Sequence, residues 1–133
     1  MYKIERASHG YKLTFGGFVG QEEMEKWLED STKTLATAFG KFGVFVDMRT
    51  LKPLPPEAQD AMKRGQQLFK AKGMERSVVI VNDAVTKMQF NRLAKQTGIY
   101  QWERYIDASA TPNWEKVGAD WLVNAKDPDT VCV

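Results

Sequence analysis

The chain has 133 residues, 43% of them hydrophobic and 27% charged, with five prolines and a single cysteine. This composition excludes collagen-like, disulfide-stapled and disordered chains, and a domain of this size buries roughly two thirds of the surface its unfolded chain exposes. The net charge of +2 conceals a segregation: Lys63, Arg64, Lys70, Lys72, Arg76, Lys87, Arg92 and Lys95 oppose only Glu75 and Asp83, whereas Glu22, Glu23, Glu25, Glu29 and Asp30 outweigh Lys26 in an earlier stretch.

Charges at Lys3, Glu5 and Arg6 stand where a signal peptide needs an apolar core, and no apolar run approaches the ~20 residues that span a bilayer. A cytoplasmic protein is expected. Tyr2 to Arg6 and Tyr11 to Phe15 alternate apolar and polar residues around Ser8-His9-Gly10, which predicts a β-hairpin. Gly16-Gly17 marks a bulge or close backbone approach, and with no Gly-Lys-Ser/Thr after it this is no phosphate loop. His9, the only histidine, reads as a surface turn residue.

Gly20 reads as the N-cap of a first helix, with Glu22 and Glu23 in the turn where carboxylates favour the dipole. Met24, Trp27, Leu28, Leu35, Ala38 and Phe39 give it one apolar face, and Gly40 ends it. Gly43 to Met48 is a short apolar run of the kind buried on both faces in a parallel sheet. At its carboxyl end Asp47 and Arg49 flank Met48 on alternating sides, where open α/β sheets meet ligands. Arg49 to Pro56 is predicted as a stiff loop, because proline holds the residue before it extended.

Pro56 opens a second helix with Ala58, Ala61, Met62, Gly65, Leu68 and Phe69 on its buried face and Lys72-Gly73 at its end. Ser77 to Val81 is another apolar strand, and Asp83 caps a third helix over Ala84 to Thr97. The apolar residues of that helix, Met88, Leu93, Phe90 and Ala94, span too wide an arc for one interface. With the last three on the sheet, Met88 falls at the edge beside Arg92 and Lys95; it either makes an adaptable apolar or membrane-surface contact or is covered by a neighbouring helix. Gly98 ends the helix, and Trp102 to Asp107 alternates as a half-exposed edge strand does. Thr111 and Pro112 begin a last helix that buries Trp114, Val117, Gly118, Trp121, Leu122 and Ala125. Residues 126–133 are aperiodic and read as a frayed tail carrying a solvated thiol, Cys132. The order ββαβαβαβα predicts one α/β domain over residues 1–125, with a mixed, mostly parallel sheet of about five strands flanked by four helices.

Five segments, Gly43-Val-Phe-Val-Asp-Met-Arg, Leu54-Pro-Pro-Glu-Ala-Gln, Gly73-Met-Glu-Arg-Ser-Val-Val-Ile-Val, Met88-Gln-Phe-Asn-Arg-Leu-Ala-Lys and Pro112-Asn-Trp-Glu-Lys, resemble the bacterial SpoIIAA-like proteins, also described as STAS/SEC14-type domains. The resemblance runs from Tyr2 to Leu122. It implies a small α/β sandwich related to anti-sigma-factor antagonists and to the lipid-carrying Sec14-type (CRAL-TRIO-like) fold. In the phosphoregulated antagonists a serine opens the helix after the central strand; here that region holds no serine, and its one hydroxyl, Thr50, lies beside Arg49. A phosphorylation switch of that type is therefore not expected.

No Ser/His/Asp set, Cys/His metal spacing or P-loop is present, so no catalytic residue, metal or cofactor is assigned. Asp47 is expected to cap a backbone turn and Arg49 to pair with a carboxylate such as Glu57. The aromatics fall on core faces and do not interleave with basic residues, which argues against nucleic acid. Two readings remain open. One is a non-enzymatic domain that holds an apolar or amphipathic lipid-like ligand among Met62, Phe69 and Phe90 beneath mobile helices, and touches anionic membrane at the inner face through Lys63, Arg64, Lys87, Met88, Arg92 and Lys95. The other is a STAS-type module that binds a protein partner through Asp47, Arg49 and the following loop and helix; a homodimer is compatible with either.

Overall fold

The computed structural model describes residues 1–130, so Cys132 lies outside the described residues. A hairpin of β1 (Tyr2–Ala7) and β2 (Gly10–Gly17) is followed by α1 (Gln21–Leu35), β3 (Phe42–Leu51), α2 (Pro56–Lys72), β4 (Met74–Val81), α3 (Ala84–Thr97), β5 (Glu103–Asp107) and α4 (Trp114–Asn124). The five strands lie in the order β1-β2-β3-β4-β5, with β1 antiparallel to β2 and every other pair parallel. The mixed α/β architecture follows the sequence expectation, and Gly16 lies at the expected bulge, where the β2–β3 register shifts between Thr14 and Gly16.

Parallel crossovers are right-handed, and here each successive strand is added on the same side of the last, so α1, α2 and α3 all fall on one face of the sheet. Met24, Trp27, Ala61, Phe69, Phe90 and Leu93 from these helices pack on Leu13, Val44, Val46 and Val79. Among the described helices, α4 covers the opposite face, where its Trp121 and Leu122 meet Phe45, Val78, Ile80 and Ile106. Strand side chains alternate, so Phe45, Asp47 and Arg49 share the α4 face while Val44, Val46 and Met48 share the other.

Several boundaries differ from the sequence reading. Helix α1 ends at Leu35, because Ala36 and Ala38 donate back to Lys33 and Leu35 in tightened turns; Phe39 is thereby turned out and is 97% exposed. Strand β3 continues through Arg49, Thr50 and Leu51, since Thr50 and Leu51 still pair with Gly16 and Gly17 of β2. The stiff loop is shortened to Lys52–Pro55. β4 begins at Met74, which pairs with Phe42. Trp102, expected to open the fifth strand, instead closes a 3-10 turn over Ile99–Gln101 by donating to the Ile99 carbonyl, so β5 begins at Glu103. Helix α4 begins at Trp114 because Thr111 accepts from the Trp114 N–H in a turn, which leaves Asn113 as the cap. Arg104 fastens the beginning of the segment expected to fray, donating to both carboxylate oxygens of Asp127 at 2.8 and 3.0 Å.

Where α1 crosses α2, the packing leaves room for glycine alone: a Cβ on Gly65 would lie 2.1 Å from the Trp27 ring. Gly65→Ala gains helix propensity of about 1 kcal/mol, yet forcing that ring aside costs about 1–3 kcal/mol. A lowered urea midpoint is expected, and a midpoint at or above wild type would contradict this packing.

Candidate functional site

At the carboxyl end of β3, Asp47 lies buried at the margin of α4, whereas Arg49, two residues on, reaches solvent. The two share one face, so the arrangement on alternating sides is corrected by the two-residue period of the strand. Asp47 Oδ1 accepts from the Arg49 backbone N–H at 3.1 Å and from Nε at 3.0 Å, while Oδ2 accepts from Nη2 at 3.0 Å. Arg49 therefore pairs with Asp47 rather than with Glu57. Its guanidinium also stacks 4.3 Å above the Trp114 ring. Burial pushes the Asp47 carboxyl up, but the Arg49 hydrogen bonds and charge outweigh it and hold the group below its ordinary range. Asp47 thus holds the Arg49 guanidinium in place against Trp114, and the pair ties the end of β3 to α4.

The loop after β3 is likewise turned inward. Leu54 is buried; its backbone N–H donates to Gln89 Oε1 at 2.7 Å, and its carbonyl accepts from Gln89 Nε2 and Gln59 Nε2, each at 3.0 Å. Arg49, Thr50, Lys52 and Pro53 are exposed at this end of β3.

Helix α3 is bound on one side and free on the other. Asp83 caps it by accepting from the Val85 N–H at 2.8 Å, and Gly98 closes it with φ 85°. Phe90, Leu93 and Ala94 are buried, while Met88 is 70% and Val85 58% exposed. Among the described residues no helix covers Met88. Lys87, Arg92 and Lys95 surround it; the Lys95 ammonium lies 4.9 Å above the exposed Tyr100 ring, and Arg92 donates to Gln59 Oε1 of α2 at 2.6 Å. Lys63 stands one turn after Gln59 on the same side of α2 and so borders this surface. Arg64 does not belong to it: the helical period turns Arg64 toward α1, where it pairs with Glu25 and with Asp60.

Met62, Phe69 and Phe90 do converge, around a small cavity between the helices and the sheet that is also lined by Gln66, Ser77 and Glu103. Its volume is about 40 Å3. Sequence reading placed Glu103 on a half-exposed strand, but its side chain is 5% exposed and faces the core with Tyr105. The available signal was the i, i+2 spacing of Glu103 and Tyr105, which puts them on the face opposite Arg104 and Ile106. Ser77 Oγ donates to Glu103 Oε1 at 3.0 Å; Glu103 Oε2 lies 2.5 Å from the Tyr105 hydroxyl, which reaches the Phe90 carbonyl at 3.1 Å. A carbonyl accepts only, and a hydroxyl has one proton to give. The chain closes when Glu103 is protonated, donating to Tyr105, which donates to Phe90. Burial pushes the Glu103 carboxyl up to about 7, and the Tyr105 hydroxyl is likewise raised by burial and by the adjacent acid.

A carboxyl raised on folding contributes stability that is complete below its unfolded pKa and is lost as pH rises through its folded pKa. Wild type should therefore lose on the order of 2–3 kcal/mol between pH 4.5 and 8 through this group. Glu103→Gln can keep the same bonds, its amide donating to Tyr105 and its carbonyl accepting from Ser77. Urea melts of this variant should lack that pH dependence; an unchanged slope would place the titration elsewhere.

No family model matches the chain, and no curated protein matches it. Among solved structures it is similar to an uncharacterized protein of the DUF3478 family with a SpoIIAA-like fold from Shewanella loihica PV-4, at a TM-score of 0.62 and 16% identity over 92% of each chain. At that identity the likeness concerns the fold alone, and it agrees with the SpoIIAA-like fold that the sequence resemblance implied. The chain has a SpoIIAA-like fold.

Proposed function

We propose that this chain is a non-enzymatic STAS-type binding domain that docks peripherally on an anionic amphipathic surface, the inner face of a membrane, through the outer side of α3. The observation that carries this reading is the exposure of Met88 beside Lys87, Arg92 and Lys95, with Val85 also exposed on the same helix. A flexible, polarizable methionine suits an irregular apolar boundary, and long basic side chains can lay their stems along it while their charges meet headgroups. Each lysine or arginine near an anionic leaflet contributes about 1 kcal/mol, so a patch of this size supports weak, salt-sensitive association rather than anchoring. Among the described residues, no helix is long and apolar enough to cross a membrane.

The interior is the weaker place for a lipid-like ligand. About 40 Å3 accommodates a water molecule, whereas small-molecule sites run to roughly 300–1,000 Å3. A lipid would enter only if α2 and α3 parted from the sheet and opened the Glu103 network. A protein partner at Asp47, Arg49 and the following loop is favoured less, since Arg49 is held by Asp47 and Trp114 and the Leu54 backbone groups are taken up by Gln59 and Gln89.

Sedimentation with vesicles of mixed phosphatidylserine and phosphatidylcholine at low salt tests the reading. Wild type should pellet with the anionic vesicles and not with pure phosphatidylcholine. Lys87→Glu with Lys95→Glu, two exposed positions that leave the Arg92 link to α2 intact, should lower the partition coefficient roughly tenfold or more. Wild type that stays in the supernatant, or a variant that binds equally, would refute the membrane assignment.

A further inference from the structure

The free edge of β1 carries a self-complementary pattern that neither the fold nor the α3 surface uses. Met1 and Gly16 exchange two backbone hydrogen bonds, at 2.8 and 2.9 Å, and the β1–β2 register runs without a shift from Tyr2↔Phe15 to Ala7↔Gly10. Hydrogen-bonded and non-hydrogen-bonded pairs alternate in an antiparallel ladder. Lys3 and Glu5 therefore bond to β2, while the N–H and C=O groups of Tyr2, Ile4 and Arg6 point outward along the open edge. Such an edge is a template for another strand. β1 contains neither proline nor a bulge to blunt it.

We propose that β1 pairs antiparallel with β1 of a second copy of this chain, about a two-fold axis at Ile4, joining the two sheets into one. The charges select this register. With Ile4 opposite Ile4, the outward groups of Tyr2 meet those of Arg6 from the second copy, and Lys3 and Glu5 form reciprocal non-hydrogen-bonded pairs, the positions where side chains approach closest. A shift by two residues in one direction sets Lys3 against Lys3, and in the other Glu5 against Glu5. Both Lys3 and Glu5 side chains are available, at 62% and 42% exposure, and already stand 3.8 Å apart within one chain.

The helical layer accommodates the same arrangement. The Tyr2 hydroxyl is bonded to Asp30 of α1, so Arg6 arriving opposite Tyr2 brings a cation to the acidic edge formed by Glu29 and Asp30. The contact is isologous and consumes the same edge on both copies, so it closes at a dimer instead of propagating.

Equilibrium sedimentation of the full chain at roughly 10–500 µM, a range that populates a small interface, tests the proposal. Wild type should reach twice the mass of the chain. Lys3→Glu and Glu5→Lys should each raise the dissociation constant roughly tenfold or more by opposing like charges across the seam. The double exchange Lys3→Glu with Glu5→Lys should restore the wild-type value. In parallel, amide exchange at Tyr2, Ile4 and Arg6 in wild type should slow as concentration rises. A monomer throughout, single variants that dimerise as wild type does, a double exchange no tighter than the singles, or edge amides indifferent to concentration would each overturn it.

Discussion

The arrangement of this molecule depends on one topological constraint: after the hairpin, each strand is laid parallel beside the previous one, always on the same side. Right-handed crossovers then have no choice of face, and three connecting helices must form one layer. The remaining features follow from this. Among the described helices, α4 covers the opposite face, so the large core lies on one side of the sheet and a smaller one on the other. The first strand is left with an open edge, and the last crossover helix, α3, is left with a helical neighbour on one side alone.

Charge follows the same geometry. The acidic residues Glu22, Glu23, Glu25, Glu29 and Asp30 belong to α1 at one margin of the helical layer, and Lys87, Arg92 and Lys95 belong to α3 at the other. Arg64 shows how the middle helix is divided: it reaches Glu25 of α1 and pairs with Asp60 one turn back on α2. Among the described residues Lys63, Lys87, Arg92 and Lys95 form no ion pair, which leaves that margin cationic around Met88. The interior works in the opposite sense. Ser77, Glu103, Tyr105 and the Phe90 carbonyl form a closed chain of hydrogen bonds beneath α3, and a closed polar chain in a low-dielectric core resists opening.

Much of this was legible in the sequence because local rules and tertiary structure agree. The caps at Asp83, Gly73 and Gly98, the β3 and β4 apolar runs, and the wide apolar arc of α3 each led to the observed element. The misreadings arose where tertiary pairing overrode a local pattern. Phe39 continued the helical rhythm of α1, but the chain must unwind before Phe42 to enter the sheet. Arg49 and Thr50 looked like loop because prolines follow, yet β2 offers them a partner. Glu103 was the most consequential omission. A charged residue beside Trp102 and Arg104 reads as exposed; the i, i+2 spacing puts Glu103 on one face with Tyr105, and its register against Ser77 shows that this face is the core. The cation stacked on Trp114 was similarly invisible, since 64 residues lie between Arg49 and Trp114 in the chain.

The central claim is that α3, and not the interior or the end of β3, meets the binding surface. An environment-sensitive fluorophore at Met88→Cys, in a Cys132→Ser background, reports on it most directly, with a label at Lys26→Cys on the opposite margin as reference. On titration with anionic vesicles the label at position 88 should shift to the blue and brighten while that at position 26 stays unchanged. Equal responses at the two positions, or a response at position 26 alone, would contradict the account.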